Sequence, residues 1–124
     1  MNATLSLLTE ASFKQMLENN WEAVVFASLD GIVQYANPAA HNLYGYDPEE
    51  LPGQHVDIFN SKRTHQTQEI IDAIINEGGW SGELIQRRKN GDDFYALLTV
   101  SLIYGENEQP IGYASYSKDI SDRI

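Results

Sequence analysis

The sequence predicts an α+β domain in which a five-stranded antiparallel sheet carries short helices over one face. Three observations point to it. Strand-like segments fall into two groups, two before a helical middle and three after it. Asp30-Gly31 and Asn90-Gly91 lie between such segments and read as tight hairpin turns. A chain of 124 residues is long enough for one domain with its own core.

The elements follow in order. From Thr9 the text reads as a helix, with Thr9 or Ser12 as N-cap, Phe13, Met16 and Leu17 on one face, and Asn19-Asn20 at its end. Residues 1–20 are therefore assigned to an N-terminal cap helix and 21–124 to the domain proper. Ala23–Leu29 and Ile32–Ala36 are strands by β-branched and aromatic content, joined at Asp30-Gly31. Asn37 caps and Pro38 opens a helix over Ala39–Tyr44 that stops at Gly45. Asp47–Leu51 repeats the pattern on a smaller scale. Thr64–Asn76 carries Ile70, Ile71, Ile74 and Ile75 at helical spacing and is closed by Gly78-Gly79. The period then changes to two. Trp80–Lys89, Phe94–Tyr104 and Ile111–Lys118 form a meander, joined at Asn90-Gly91 and at a looser Gly105–Gln109 turn.

Composition narrows the function. A net charge of −10 opposes a nucleic-acid partner, whose phosphates need a basic face, and an anionic membrane surface. The absence of cysteine removes disulfides, thiolate nucleophiles, zinc fingers and cysteine-based flavin photochemistry. No apolar run has the length of a membrane span and no signal pattern opens the chain, so a cytoplasmic location is expected, as a free protein or as part of a larger receptor. His41, His55 and His65 form no metal-binding array; His55 and His65 are the candidates should a single axial haem ligand be needed. No nucleotide-binding or nucleophile-elbow motif occurs, and the acidic pairs Glu49-Glu50 and Asp92-Asp93 fall where helix starts and turns attract carboxylates. The chain therefore reads as a binding or signalling module rather than an enzyme. Trp80, flanked by Gly79 and Gly82, either stacks on a planar ligand or packs over the sheet.

The order of the turn and cap motifs is itself informative. Leu29-Asp30-Gly31, Tyr35-Ala36-Asn37, Leu43-Tyr44-Gly45-Tyr46 and Glu50-Leu51-Pro52-Gly53 are followed by Trp80-Ser81-Gly82-Glu83, Lys89-Asn90-Gly91, Ile111-Gly112 and Asp119-Ile120-Ser121. Over about residues 20–124 this series resembles a PAS (sensory box) domain of bacterial signal transduction. The resemblance implies a sheet cupped by helices, with a pocket between the inner sheet face and the helices. Strand alternation then places Phe94, Ala96, Leu98 and Val100 inward and Tyr95, Leu97 and Thr99 outward. Pocket candidates are Asn60 at the mouth, Trp80, Leu84 and Gln86 on the first long strand, Ala96 and Leu98 on the next, and Tyr113, Ser115 and Ser117 on the last.

The resemblance also bears on cofactors and partners. Light-oxygen-voltage members carry a reactive cysteine where Val56 stands, so adduct photochemistry is excluded. Trp80 to Gly91 is similar to flavin-binding redox sensors, which makes Trp80, Gln86 and Asn60 carried-over FAD contacts; haem ranks below FAD. Asp119-Ile120-Ser121, with Arg123 behind it, resembles the exit leading to a signalling helix and an output domain of diguanylate cyclase (GGDEF) or histidine kinase type. A homodimer through the N-terminal helix and the outer sheet face is expected. The rivals are a ligand-free dimerisation scaffold with a filled interior and, more distantly, a cone-shaped isomerase needing an inward-facing acid.

Overall fold

The structure, a computed structural model, describes Glu18 and residues 21–123. The expected cap helix within residues 1–20 lies, Glu18 apart, outside the described residues. The remaining chain forms one five-stranded antiparallel sheet in the order β2-β1-β5-β4-β3, with helices on one face. Its strands are β1 (Ala23–Ser28), β2 (Val33–Ala36), β3 (Gly79–Arg87), β4 (Asp93–Tyr104) and β5 (Pro110–Asp119). Between the two strand groups lie α1 (Pro38–Tyr44), a 3-10 turn (Val56–Phe59) and α2 (Thr67–Glu77). A last 3-10 turn covers Ser121–Arg123.

The three hairpins share one geometry, which differs from the tight two-residue turns expected at Asp30-Gly31 and Asn90-Gly91. Ser28 N–H donates to Ile32 O while Gly31 N–H donates to Ser28 O, which closes a three-residue loop over Leu29–Gly31. Leu29 therefore leaves the strand. Arg88 with Asp92 and Gly91 repeats the pattern, and so does Gly105 with Gln109 and Glu108. The third loop residue must turn left-handed in such loops. Gly31 and Gly91 do so at φ 83° and 93°, whereas the third hairpin holds Glu108 at φ 59°.

The helices begin and end where their caps dictate. Asn37 Oδ1 accepts from Ala40 N–H at 3.0 Å and from Val24 N–H at 2.9 Å, while its Nδ2 donates to Glu22 O. One buried side chain thus starts α1 and ties it to β1. Asp47–Leu51 makes only a turn, because Pro52 and Gly53 cut short any propagation. α2 starts at Thr67 rather than Thr64, since the Thr64 hydroxyl is drawn to Ile85 O at 2.6 Å.

Strand register fixes the inner face. Val25, Ser115, Val100 and Trp80 form one rung; Ala23, Ser117, Leu98 and Gly82 form the next. Phe94, Ala96, Leu98 and Val100 are buried as expected, and Tyr95 and Leu97 lie exposed on the outer face.

Candidate functional site

Between the inner face and the helical side lies a cavity of about 490 Å³. Its end is closed by rings. Tyr44, at the C-terminus of α1, stacks on Phe59 with centroids 4.0 Å apart and leans on Phe94 at 6.1 Å. Tyr44 Oη donates to Gln86 Oε1 at 2.9 Å and is hydrogen-bonded to Ser117 Oγ at 2.8 Å. One phenolic proton cannot serve both, so the Ser117 hydroxyl supplies the second. Burial pushes the Tyr44 phenol up to about 12, against the pull of Ser117 and Gln86, so it stays a neutral donor.

The walls are apolar. Leu84 on β3, and Leu98, Val100 and Leu102 on β4, form the sheet side. Ile70, Ile71, Ile74 and Ile75 of α2 face them. No residue of α2 is fully buried: Ile70 and Ile74 are half-buried against the core, while Ile71 and Ile75 are 42% and 71% exposed, so the helix covers the cavity without sealing it. Polar groups are few. Gln86 is 4% exposed, and with Oε1 held by Tyr44 its Nε2 has no hydrogen-bond partner among the described residues. Asn60 lies beside it through a bridge between the two backbones. Ser115 lines the wall but donates to Val25 O at 3.4 Å.

The mouth is formed by Leu29, Asp30 and Gly31 of the first hairpin, with His55, Asp57 and Tyr113. His55 Nδ1 accepts from Asp57 N–H at 3.1 Å and stands 3.3 Å from the Asp57 carboxylate. Burial, and then the charge of Asp57, push the Tyr113 phenol up, which keeps it protonated at neutral pH.

Among the candidates read from the sequence, Asn60, Leu84, Gln86, Leu98, Tyr113 and Ser115 line this cavity, and Trp80, Ala96 and Ser117 do not. The physical reasons differ. Trp80 lies flat over Gly82, where a Cβ would meet its Cη2 and Cζ2 at 2.7 Å, instead of reaching into the space. Ser117 is occupied by Tyr44, and Ala96, 0% exposed, has only a methyl group and does not reach the cavity. Sequence reasoning missed Tyr44, Leu29 and the four isoleucines as lining residues. The isoleucine spacing was visible, but nothing in it separates a core stripe from a cavity wall.

The implied cofactors fit poorly. No lysine or arginine lines the cavity among the described residues, so flavin phosphates and haem propionates find no counter-charge there. Trp80, one of three carried-over flavin contacts, lies off the cavity, and so does His65. His55 reaches only the mouth. Among the described residues no group of three His, Asp or Glu side chains is placed to hold a metal ion, and no helix is long and apolar enough to cross a membrane.

At the far end of β5 the exit is tightly held. Asp119 Oδ2 accepts from Arg88 Nη2 at 2.5 Å, and its Oδ1 accepts from Ser121 N–H at 2.9 Å. Ile120 N–H donates to Tyr95 O, and Tyr95 N–H donates to Ser121 Oγ, which ties the exit to β4. Burial pushes the Asp119 carboxyl up, but Ser121 and the Arg88 guanidinium outweigh it and hold the group below the usual carboxylate range. Arg88 also lies 4.1 Å over the Phe94 ring. The Arg123 side chain lies outside the described residues.

Comparison with known proteins agrees with this geometry. The PAS domain pattern matches residues 22–122. A mouse high affinity cAMP-specific and IBMX-insensitive 3',5'-cyclic phosphodiesterase 8A is 30% identical over 101 residues, covering 80% of this chain and 12% of the relative. The nitrogen fixation regulatory protein of Klebsiella oxytoca is 24% identical over 111 residues, covering 88% of this chain and 22% of the relative. The chain thus spans a small part of the curated relatives it matches. The crystal structure of the PAS domain of a Colwellia psychrerythraea protein superposes with a TM-score of 0.83 at 28% identity, covering 91% of this chain and 98% of that one. A sequence match that runs from β1 to the exit turn, on a fold shared over nine-tenths of the chain, carries one conclusion: the chain belongs to the PAS domain family, a family of sensory domains.

Proposed function

We propose that this PAS domain is a small-molecule sensor that takes up its ligand between the sheet and α2 and relays occupancy through Asp119 to an output domain. The observation that carries the reading is the apolar cavity of about 490 Å³ with the buried Gln86 amide at its inner end. That volume and makeup suit a drug-sized ligand fixed by few polar groups. Leu98 and Ser115 each present part of their side chain to the cavity, which favours ligand uptake over a bare dimerisation scaffold.

A covalent and hydrogen-bonded route joins cavity and exit. Gln86 reaches Tyr44, Tyr44 reaches Ser117, and Ser117 precedes Asp119 by two residues on β5. That the matching segments are small parts of longer relatives supports an output in a separate domain; the resemblance of the Asp119-Ile120-Ser121 exit favours one of diguanylate cyclase or histidine kinase type. Exposed Tyr95 and Leu97 on the outer face supply apolar area for a homodimer.

The test is a visible absorption spectrum of freshly purified protein together with mass spectrometry after denaturation. A stoichiometric small molecule is expected. A protein that carries none, and whose unfolding temperature no small molecule raises, refutes the sensor reading.

A further inference from the structure

We infer that the cavity selects a neutral or cationic, largely apolar ligand that offers one carbonyl-type acceptor to Gln86, and that it rejects carboxylates and phosphates. The inference rests on the ligand-sensing reading above and adds the chemical class.

Gln86 carries the first part. Its Oε1 is committed to Tyr44, which orients the amide and leaves Nε2 turned to the cavity with no partner among the described residues. Nε2 is open to the cavity rather than sealed off, so a ligand carbonyl competes there with water and fixes the ligand's orientation. Around it Ile70, Ile74, Leu98 and Val100 offer only hydrocarbon, and the other polar groups of the wall are the uncharged Asn60, Thr67 and Ser115.

Charge carries the second part. The basic side chains near the site are committed elsewhere: Arg88 to Asp119, Lys89 to Glu50 and Arg63 towards Asp93. None of them lines the cavity. Asp30 and Asp57 stand at the mouth, and the chain has a net charge of −10. An anion would pass two carboxylates and then lose its hydration without a counter-charge, which is the costly case of charge burial. A cation remaining at the mouth meets the opposite field.

The test is displacement of Nile red, a neutral fluorescent ketone, by four naphthalenes that differ at one substituent. These are 2-acetylnaphthalene, 2-ethylnaphthalene, 2-(aminomethyl)naphthalene and 2-naphthoate. The ketone and the ammonium are expected to bind at least about tenfold more tightly than the carboxylate. Gln86→Met should weaken the ketone about three- to tenfold and leave the ethyl compound unchanged, which also reports that the cavity survives the substitution. Asp57→Asn should reduce the advantage of the ammonium, and added salt should do the same. If naphthoate displaces Nile red as well as the ketone does, the charge selection is overturned while ligand uptake stands. If wild-type protein binds no Nile red, the cavity reading falls and this inference with it. Should Gln86→Met not fold, the wild-type series alone decides.

Discussion

Replacing Tyr44 by phenylalanine removes one oxygen from the deepest part of the domain and leaves the ring. The ring is 1% exposed and stacked 4.0 Å from Phe59, so Tyr44→Phe opens no cavity of consequence. What it removes is the shared partner of Gln86 and Ser117, which are 4% and 3% exposed. Each then holds a buried polar atom with nothing to bond. An unsatisfied buried group costs about 1–3 kcal/mol, and omitting the phenol's own desolvation returns part of that for two groups, so the expected loss is about 2 kcal/mol. At about 4 °C per kcal/mol for a domain of this size, the unfolding midpoint should fall by about 8 °C. Thermal unfolding followed by circular dichroism measures the shift and urea unfolding the free energy, with an unchanged m-value showing that only stability moved. Ser117→Ala supplies the coupling. If the two hydroxyls bond each other, the double variant should be more stable than the sum of the single losses by about 1 kcal/mol. A loss below about 0.5 kcal/mol for Tyr44→Phe, or strict additivity with Ser117→Ala, refutes the three-residue link.

Three further expectations rest on local chemistry. Asn37→Ala deprives the Val24 and Ala40 amides of their acceptor and should cost about 3 kcal/mol, with faster hydrogen exchange at both amides. Glu108→Gly relieves a left-handed residue at φ 59° and should stabilise by about 0.5–1 kcal/mol, since the relief of about 1–2 kcal/mol is offset in part by glycine's greater unfolded-state entropy. Because the Asp119 carboxyl is held below 3.8 in the folded state, its contribution is present above that pH and is lost as pH falls through the depressed value. Asp119→Asn should therefore be less stable than wild type by a constant amount above about pH 5, the gap closing in acid; an undiminished gap in acid would contradict the assignment.

The sheet was legible because its cues are local. Alternation, Asp30-Gly31 and Asn90-Gly91 each act within a few residues, and so does the Asn37-Pro38 helix start. The loop lengths escaped because the Asp-Gly and Asn-Gly pairs suit both two-residue and three-residue hairpins, and only the hydrogen bonds of Ser28 and Arg88 choose between them. The start of α2 escaped for a different reason. Thr64 is a good helix-capping residue, but its hydroxyl bonds Ile85 O, on a strand 21 residues later.

The site was legible in face but not in depth. Strand parity places Ala96, Leu98 and Val100 on one side alike, yet only the last two border the cavity. What divides them is Tyr44, whose hydroxyl meets Gln86 across 42 positions and Ser117 across 73. No periodicity encodes a contact of that range. Trp80 is the opposite case, because its fate was written two residues away. Residues i and i+2 share a face, so a glycine at position 82 leaves room for the indole to lie along the strand rather than stand away from it. The cavity follows from the same argument about size. The isoleucines of α2 line the same space as Leu98, Val100 and Ser115, and a small serine on the sheet opposite a helix with no fully buried residue leaves volume unfilled.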